Sequence, residues 1–116
     1  LPWMPISVRA PPEDGLVTLM SPWRPAEPVE AWLGGTPVAG RRMAGSSYKF
    51  CLLARGDGDV YPQPGPTSEW DTAAGQAIVE AAGGVVLTRD GQRLRYGAGT
   101  NGYRNPPFIA WGQPPG

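Results

Sequence analysis

The sequence predicts an α/β layer structure, and three observations carry that reading. Apolar runs of strand length alternate along the chain with stretches of helical period. The 17 glycines and 15 prolines fall mostly between those segments and show no collagen-like period. At 116 residues with 41% hydrophobic content, the chain has the size of one domain, or part of one, with a modest core.

The elements follow in order. Ile6–Ala10 (ISVRA) alternates like a short strand, closed by Pro11-Pro12. Leu16–Met20 (LVTLM) is nearly all apolar, as in a strand covered on both faces. Residues Ala26–Leu33 suit a short helix in which Pro28 is confined to the first turn. Val38–Met43 is a third strand that ends at Gly45. Ser46–Arg55 (SSYKFCLLAR) reads as a helix with a serine N-cap and Gly56 as its stop. Asp59–Tyr61 is a short strand, followed by a loop over Pro62–Pro66.

The strongest helical signal comes next. Trp70, Ala73, Ala74, Ala77, Ile78, Ala81 and Ala82 recur at helical spacing and predict the buried stripe of a helix ended by Gly83-Gly84. Asp90-Gly91 between Val85–Thr88 and Arg93–Tyr96 predicts a hairpin. Gly97–Pro107 reads as irregular, Phe108–Trp111 (FIAW) as a last buried strand, and the tail from Gly112 as frayed, so that residues 1–112 form the folded unit.

Composition narrows the chemistry. Ten basic and ten acidic residues cancel, leaving no net field to draw nucleic acid or an anionic membrane. No apolar run approaches the ~18 residues of a membrane span. Leu1 is not an initiator methionine and Leu1–Ser7 lacks a charged n-region, so no signal peptide is expected and the chain reads as a fragment. The one cysteine, Cys51, excludes an internal disulfide and, between Phe50 and Leu52, is expected to be buried. With no histidine in the chain, Ser-His-Asp triads, Cys-His pairs and histidine-ligated metals are excluded; a metal here must be a hard cation held by oxygens.

Two spots have chemistry within reach. Ser68-Glu69-Trp70-Asp71 fits a capping box, in which the carboxylate serves only the helix start. The other reading of Asp71 is a cation ligand: Trp70 anchors the helix start, Asp71 lies about 100° off the buried stripe, and Ala73, Ala74 and Gly75 leave room beside it. The second spot is Gly45-Ser46-Ser47-Tyr48-Lys49, where a glycine, helix-start amides, the Ser46 hydroxyl and the Lys49 ammonium suit an anion. Its plain alternative is a serine N-cap followed by a solvated lysine. Asp57-Gly58-Asp59 reads as a structural acidic turn.

The run GSSYKFCLLARGDGDVYPQPGPTSEWDTAAGQAIVEAAGG resembles the C-terminal half of the magnesium-dependent inositol monophosphatase superfamily. The W-D-x-A-A run ahead of a glycine-ended helix is similar to the superfamily's second signature. G-S-S-x-K-F-C and Y-P-x-x-G-P-T-S-E-W-D are similar to its 3′(2′),5′-bisphosphate nucleotidase branch. The strong likeness covers Ala44 to Gly84. It continues more weakly through Val8–Ser21, Asp90-Gly91, Leu94-Arg95-Tyr96 and Asn105-Pro106.

The resemblance implies the C-terminal α/β subdomain of the sugar-phosphatase fold, a mixed sheet flanked by helices. It implies a Mg²⁺-dependent phosphatase that hydrolyses adenosine 3′,5′-bisphosphate to AMP and phosphate in sulfate assimilation, cytoplasmic or membrane-peripheral. Asp71 matches a catalytic metal ligand; Gly45, Ser46 and Lys49 match the segment on the non-scissile phosphate. Gln63 stands where the branch often carries a phosphate-binding arginine, which weakens phosphate binding and leaves the substrate open. Ser21-Pro22-Trp23-Arg24 stands where the branch has a serine-rich segment ending in histidine, and Arg24 is the candidate replacement. The first signature, D-P-x-D-G-T, is absent, so most metal ligands belong to an N-terminal half outside this chain, and the chain alone is expected to be inactive. The alternatives are an inositol- or sugar-phosphate phosphatase of the same superfamily, or a non-catalytic binding module.

Overall fold

A computed structural model of the chain describes residues 5–21, 33–45, 47–65, 67–96 and 102–113. The expected helix over Ala26–Leu33, apart from Leu33, lies outside them, as do Arg24, Ser46 and the tail beyond Gln113. The strands that form the sheet are β1 (Leu16–Met20), β2 (Val38–Met43), β3 (Val60–Gln63), β5 (Val85–Thr88) and β7 (Phe108–Trp111), in the spatial order β2-β1-β3-β7-β5. A two-stranded ribbon pairs β4 (Thr67–Ser68) with β6 (Arg104–Asn105). Among the described residues the α-helices are α1 (Tyr48–Ala54) and α2 (Glu69–Ala81).

The sheet is mixed. β1 runs parallel to β2 and β3, whereas β7 lies antiparallel between β3 and β5. Period-two alternation sends neighbouring side chains to opposite faces. In β7, Phe108 and Ala110 join the cluster with Phe50, Leu53, Val79 and Val86, while Ile109 and Trp111 join Leu16, Leu33 and Val60 on the other face. Both helices contribute to the first cluster: Phe50, Leu52, Leu53 and Ala54 from α1, and Val79 from α2, with Ala82 at its C-cap.

Asp59 is 3% exposed and nearly all its hydrogen-bonding capacity is used. Its carboxylate takes a bidentate pair from Arg9 at 2.8 and 2.9 Å and the Val17 amide at 2.7 Å. This pins the segment before β1 to the sheet, so the Asp57–Asp59 turn is structural, as expected. Asp57 pairs with Arg55 on the surface at 2.6 Å.

Several expectations are corrected. Ile6–Ala10 is no strand; Val8 instead donates its amide to the Ala82 carbonyl at 3.0 Å. β3 extends through Gln63 into the expected loop, because Pro62 and Gln63 pair with Ile109 and Phe108. The Asp90-Gly91 turn forms with Gly91 at φ 81°, but the returning arm makes an isolated bridge at Arg93 and no strand: the Thr88 amide bonds the Gln92 carbonyl and the Leu94 amide the Val86 carbonyl. Arg104–Asn105 forms a strand inside the stretch read as irregular. Cys51 is exposed, because it faces away from the α1 side carrying Phe50, Leu53 and Ala54.

The buried stripe of α2 is also inverted. Thr72, Gly75, Gln76 and Val79 face inward, while Trp70 is 73% exposed and Ala73, Ala74, Ala77, Ile78 and Ala81 are exposed with it. The reason is steric. A Cβ on Gly75 would stand 2.4 Å from Phe50 Cδ2, so the two helices touch at the one position without a side chain.

Glu80 on α2 takes a bidentate pair from Arg93, at 2.7 Å from Nε, and the guanidinium holds its carboxyl below the ordinary value of 4.5. A depressed carboxyl stabilises the fold above the unfolded pKa, and that stability is lost as pH falls through the folded one. The pair is solvent-facing, so Glu80→Gln is expected to lower Tm at pH 7 by no more than about 4 °C. The difference should close as pH drops below 4.5 in thermal melts of both proteins.

Candidate active site

The start of α2 is built by local chemistry. Ser68 is extended (φ −97°, ψ 155°) and leaves β4 as the N-cap, so Asp71 falls at the third helical position. There its carboxylate reaches back, and the Ser68 amide donates to Oδ2 at 2.9 Å. Asp71 is exposed, and its Oδ1 has no partner among the described residues. The capping role and an outward carboxylate oxygen therefore coexist. Trp70 does not brace the turn: it lies about 200° around the helix from Thr72 and points to solvent. Nor does Gly75 make room for a ligand, since Phe50 occupies that space.

The turn is instead braced from β6 and the segment before it. The Glu69 amide, an otherwise orphaned first-turn donor, bonds the Tyr103 carbonyl at 2.8 Å. Tyr103 adopts φ 62°, a left-handed conformation that a non-glycine residue rarely takes. Asn105 Nδ2 stands 2.8 Å from Thr72 Oγ1, 3.0 Å from the Ser68 carbonyl and 3.0 Å from Thr67 Oγ1. The Tyr96 hydroxyl donates to Thr72 Oγ1 at 3.0 Å, and burial pushes that phenol's pKa up, so it stays protonated and donating. Asn105 and Tyr96 fall in stretches of the weaker family likeness, which implies no role for either, and their meeting with Thr72 is purely tertiary.

The second spot is arranged differently from expectation. Lys49 is 2% exposed rather than solvated. Its ammonium donates to the Ala44 carbonyl at 3.2 Å and lies 4.8 Å from the centre of the Tyr61 ring. The ring belongs to an aromatic cluster with Phe50 and Phe108, at centroid distances of 5.1 and 5.7 Å. The amides of Tyr48 and Phe50 bond the carbonyls of Gly45 and Ser47, so the α1 start offers an anion fewer open amides than its sequence suggests. The serine N-cap of α1 is Ser47, whose side chain makes no capping hydrogen bond. Gly45 is exposed and a Cβ there would meet nothing. Gln63 is turned inward, accepting from the Tyr61 hydroxyl at 3.0 Å and donating to the Gly65 carbonyl at 3.4 Å. Tyr61 thus links Lys49 with Gln63.

The donors a metal needs are scarce. Among the described residues no three or more aspartate, glutamate or cysteine side chains gather into a group able to hold an ion. Asp71 offers one carboxylate oxygen, the right donor for a hard divalent cation and for one position of its shell. No helix among the described residues is long and apolar enough to cross a membrane.

Comparison with known proteins agrees with this architecture. The inositol monophosphatase family model matches residues 17–110. An uncharacterised protein from the pss 5′ region of Rhizobium leguminosarum bv. phaseoli is 56% identical over 72 residues, covering 59% of this chain and 76% of that protein. The 3′(2′),5′-bisphosphate nucleotidase CysQ of Salmonella typhimurium is 52% identical over 64 residues, covering 55% of this chain and 26% of that enzyme. The crystal structure of CysQ from Bacteroides thetaiotaomicron superposes with a TM-score of 0.72 at 35% identity, over 97% of this chain and 41% of that one. The chain therefore spans about a quarter of the nucleotidase and two-fifths of the solved structure.

Proposed function

The chain belongs to the inositol monophosphatase family, and on that premise we propose that it is the part of a Mg²⁺-dependent 3′(2′),5′-bisphosphate nucleotidase that presents Asp71 to the reacting phosphate. The observation that carries this reading is Asp71 itself: one oxygen fixed by the Ser68 amide, the other facing outward at the start of a 13-residue helix. A divalent cation bound there supplies Lewis-acid polarisation of the phosphate and a more acidic water.

The chain's own residues bind and orient. The amino end of α2 places its partial positive charge beside an anionic ligand. Gly45 and Ser46 contact the phosphate that is not cleaved, while the buried Lys49 holds the Ala44 carbonyl and contributes a desolvated positive charge. Gln63 orders the adjoining turn through Gly65 instead of supplying a cation. The remaining metal ligands come from a segment outside this chain, which docks on the exposed apolar side of α2 at Trp70, Ala74 and Ile78. The exposed thiol of Cys51 suits a reducing cytoplasm. The neutral Gln63 favours a second reading, an inositol- or sugar-phosphate substrate with one phosphate fewer to hold.

A chimaera tests both. This chain replaces the matching C-terminal segment of the Salmonella nucleotidase, and phosphate release is measured with Mg²⁺ on adenosine 3′,5′-bisphosphate and on inositol 1-phosphate. Preference for the bisphosphate nucleotide is expected, with no release from the isolated 116-residue chain. Preference for inositol 1-phosphate would establish the second reading, and release by the isolated chain would show that its ligand set is complete.

A further inference from the structure

We propose that Thr72 and Asn105 act as a positioning pair for Asp71, an inference that rests on the reading of Asp71 as the residue presented to the reacting phosphate. Asp71 is an exposed side chain on a helical first turn, where a carboxylate ordinarily exchanges between staggered rotamers. Productive ligation needs one of them held. The two residues that fix the turn bracket Asp71 in sequence: Ser68 lies three positions before it and Thr72 one after.

Both are gripped by a single amide. Asn105 Nδ2 reaches the Ser68 carbonyl and Thr72 Oγ1 at 3.0 and 2.8 Å. Ser68 in turn donates its own amide to Asp71 Oδ2 at 2.9 Å. Fixing Ser68 at its carbonyl and the helix at Thr72 thus fixes the direction of the donor that selects the Asp71 rotamer. The grip works from a dry place, since Thr72 and Asn105 are 2% and 6% exposed. Tyr96 closes the network on Thr72 at 3.0 Å.

A second observation separates this from plain scaffolding. Asn105 Oδ1 is buried without a hydrogen-bond partner among the described residues. An unsatisfied buried acceptor opposes folding, so an apolar residue would serve a purely structural contact better. The asparagine is explained by what its Nδ2 does.

The test uses the full 116-residue chain, isotope-labelled, and reads the Asp71 Hα–Hβ couplings by NMR. In the wild-type chain the two couplings should differ widely, as one rotamer requires. Thr72→Val, which keeps the shape and removes the hydroxyl, should bring them towards equal averaged values, and Thr72→Ser should restore the difference. If Thr72→Val fails to fold, Tyr96→Phe removes one donor to the same hydroxyl and should move the couplings in the same direction. Couplings unchanged in the folded variant would overturn the inference.

In the chimaera, Thr72→Val should lower kcat about tenfold, the lower end for residues supporting a metal ligand, with KM unchanged. A change confined to KM would also overturn it. The reading of Asp71 fails separately, by Asp71→Asn retaining activity, an outcome that leaves the coupling measurement untouched.

Discussion

Gly75→Val is expected to leave the chain unfolded, and Gly75→Ala to destabilise it measurably. A Cβ at this position would lie 2.4, 2.5 and 2.9 Å from Cδ2, Cγ and Cβ of Phe50. Those atoms form the near end of the ring, which cannot swing clear: Phe50 is 1% exposed and wedged against Tyr61 and Phe108. Two effects oppose each other. Alanine gains about 1 kcal/mol of helix propensity over glycine, whereas overpacking a close-packed core costs about 1–3 kcal/mol. With three clashing atoms the second effect wins for alanine by about 1 kcal/mol. Valine adds two further carbons and drives the helices apart, a large share of a domain's total stability of about 5–15 kcal/mol. Urea titrations give the answer: a Gly75→Ala midpoint at or above that of wild type would show that the helices separate without cost.

Asp71→Asn in the chimaera is expected to lower kcat more than about 100-fold, because changes to residues that merely support a ligand already cost 10–100-fold. The amide oxygen of asparagine can still accept from the Ser68 amide, so the helix start survives. Loss of the negative charge near a helix N-terminus should cost stability only about 0.3–1 kcal/mol. The split between a large kinetic and a small thermal effect is the signature to look for. A fall in Tm with activity intact would reduce Asp71 to a cap.

Much of the frame was legible in the sequence. β1, β2, β5 and β7 occupy the expected residues because each is a short run bounded by glycine or proline, and the period of α2 is sustained for three turns. Asp71 was legible as well, since Ser68-Glu69-Trp70-Asp71 states its capping geometry locally. Which side of α2 turns inward was not. Hydropathy ranks Trp70 and Ile78 above Thr72 and Gln76, but the Thr72 hydroxyl is met by Tyr96 and Asn105, and the Gln76 Nε2 donates to Glu80 and to the Leu94 carbonyl. Only tertiary partners make those polar residues cheap to bury. The same holds for Lys49, whose neighbours in sequence give no sign of the Tyr61 ring beneath it. Asn105 was hidden inside a Gly/Pro-rich stretch where its two-residue strand has no period to detect.

The place of β7 bears on how the polypeptide comes off the ribosome. Synthesis delivers β3 and β5 before β7, yet the two do not pair with each other: β3 has β1 as its other neighbour, whereas β5 is joined to the sheet only through the strand made last. Until Phe108–Trp111 emerges, the nascent chain holds β5 unpaired and leaves the far edge of β3 open, a state in which chaperone binding competes with closure.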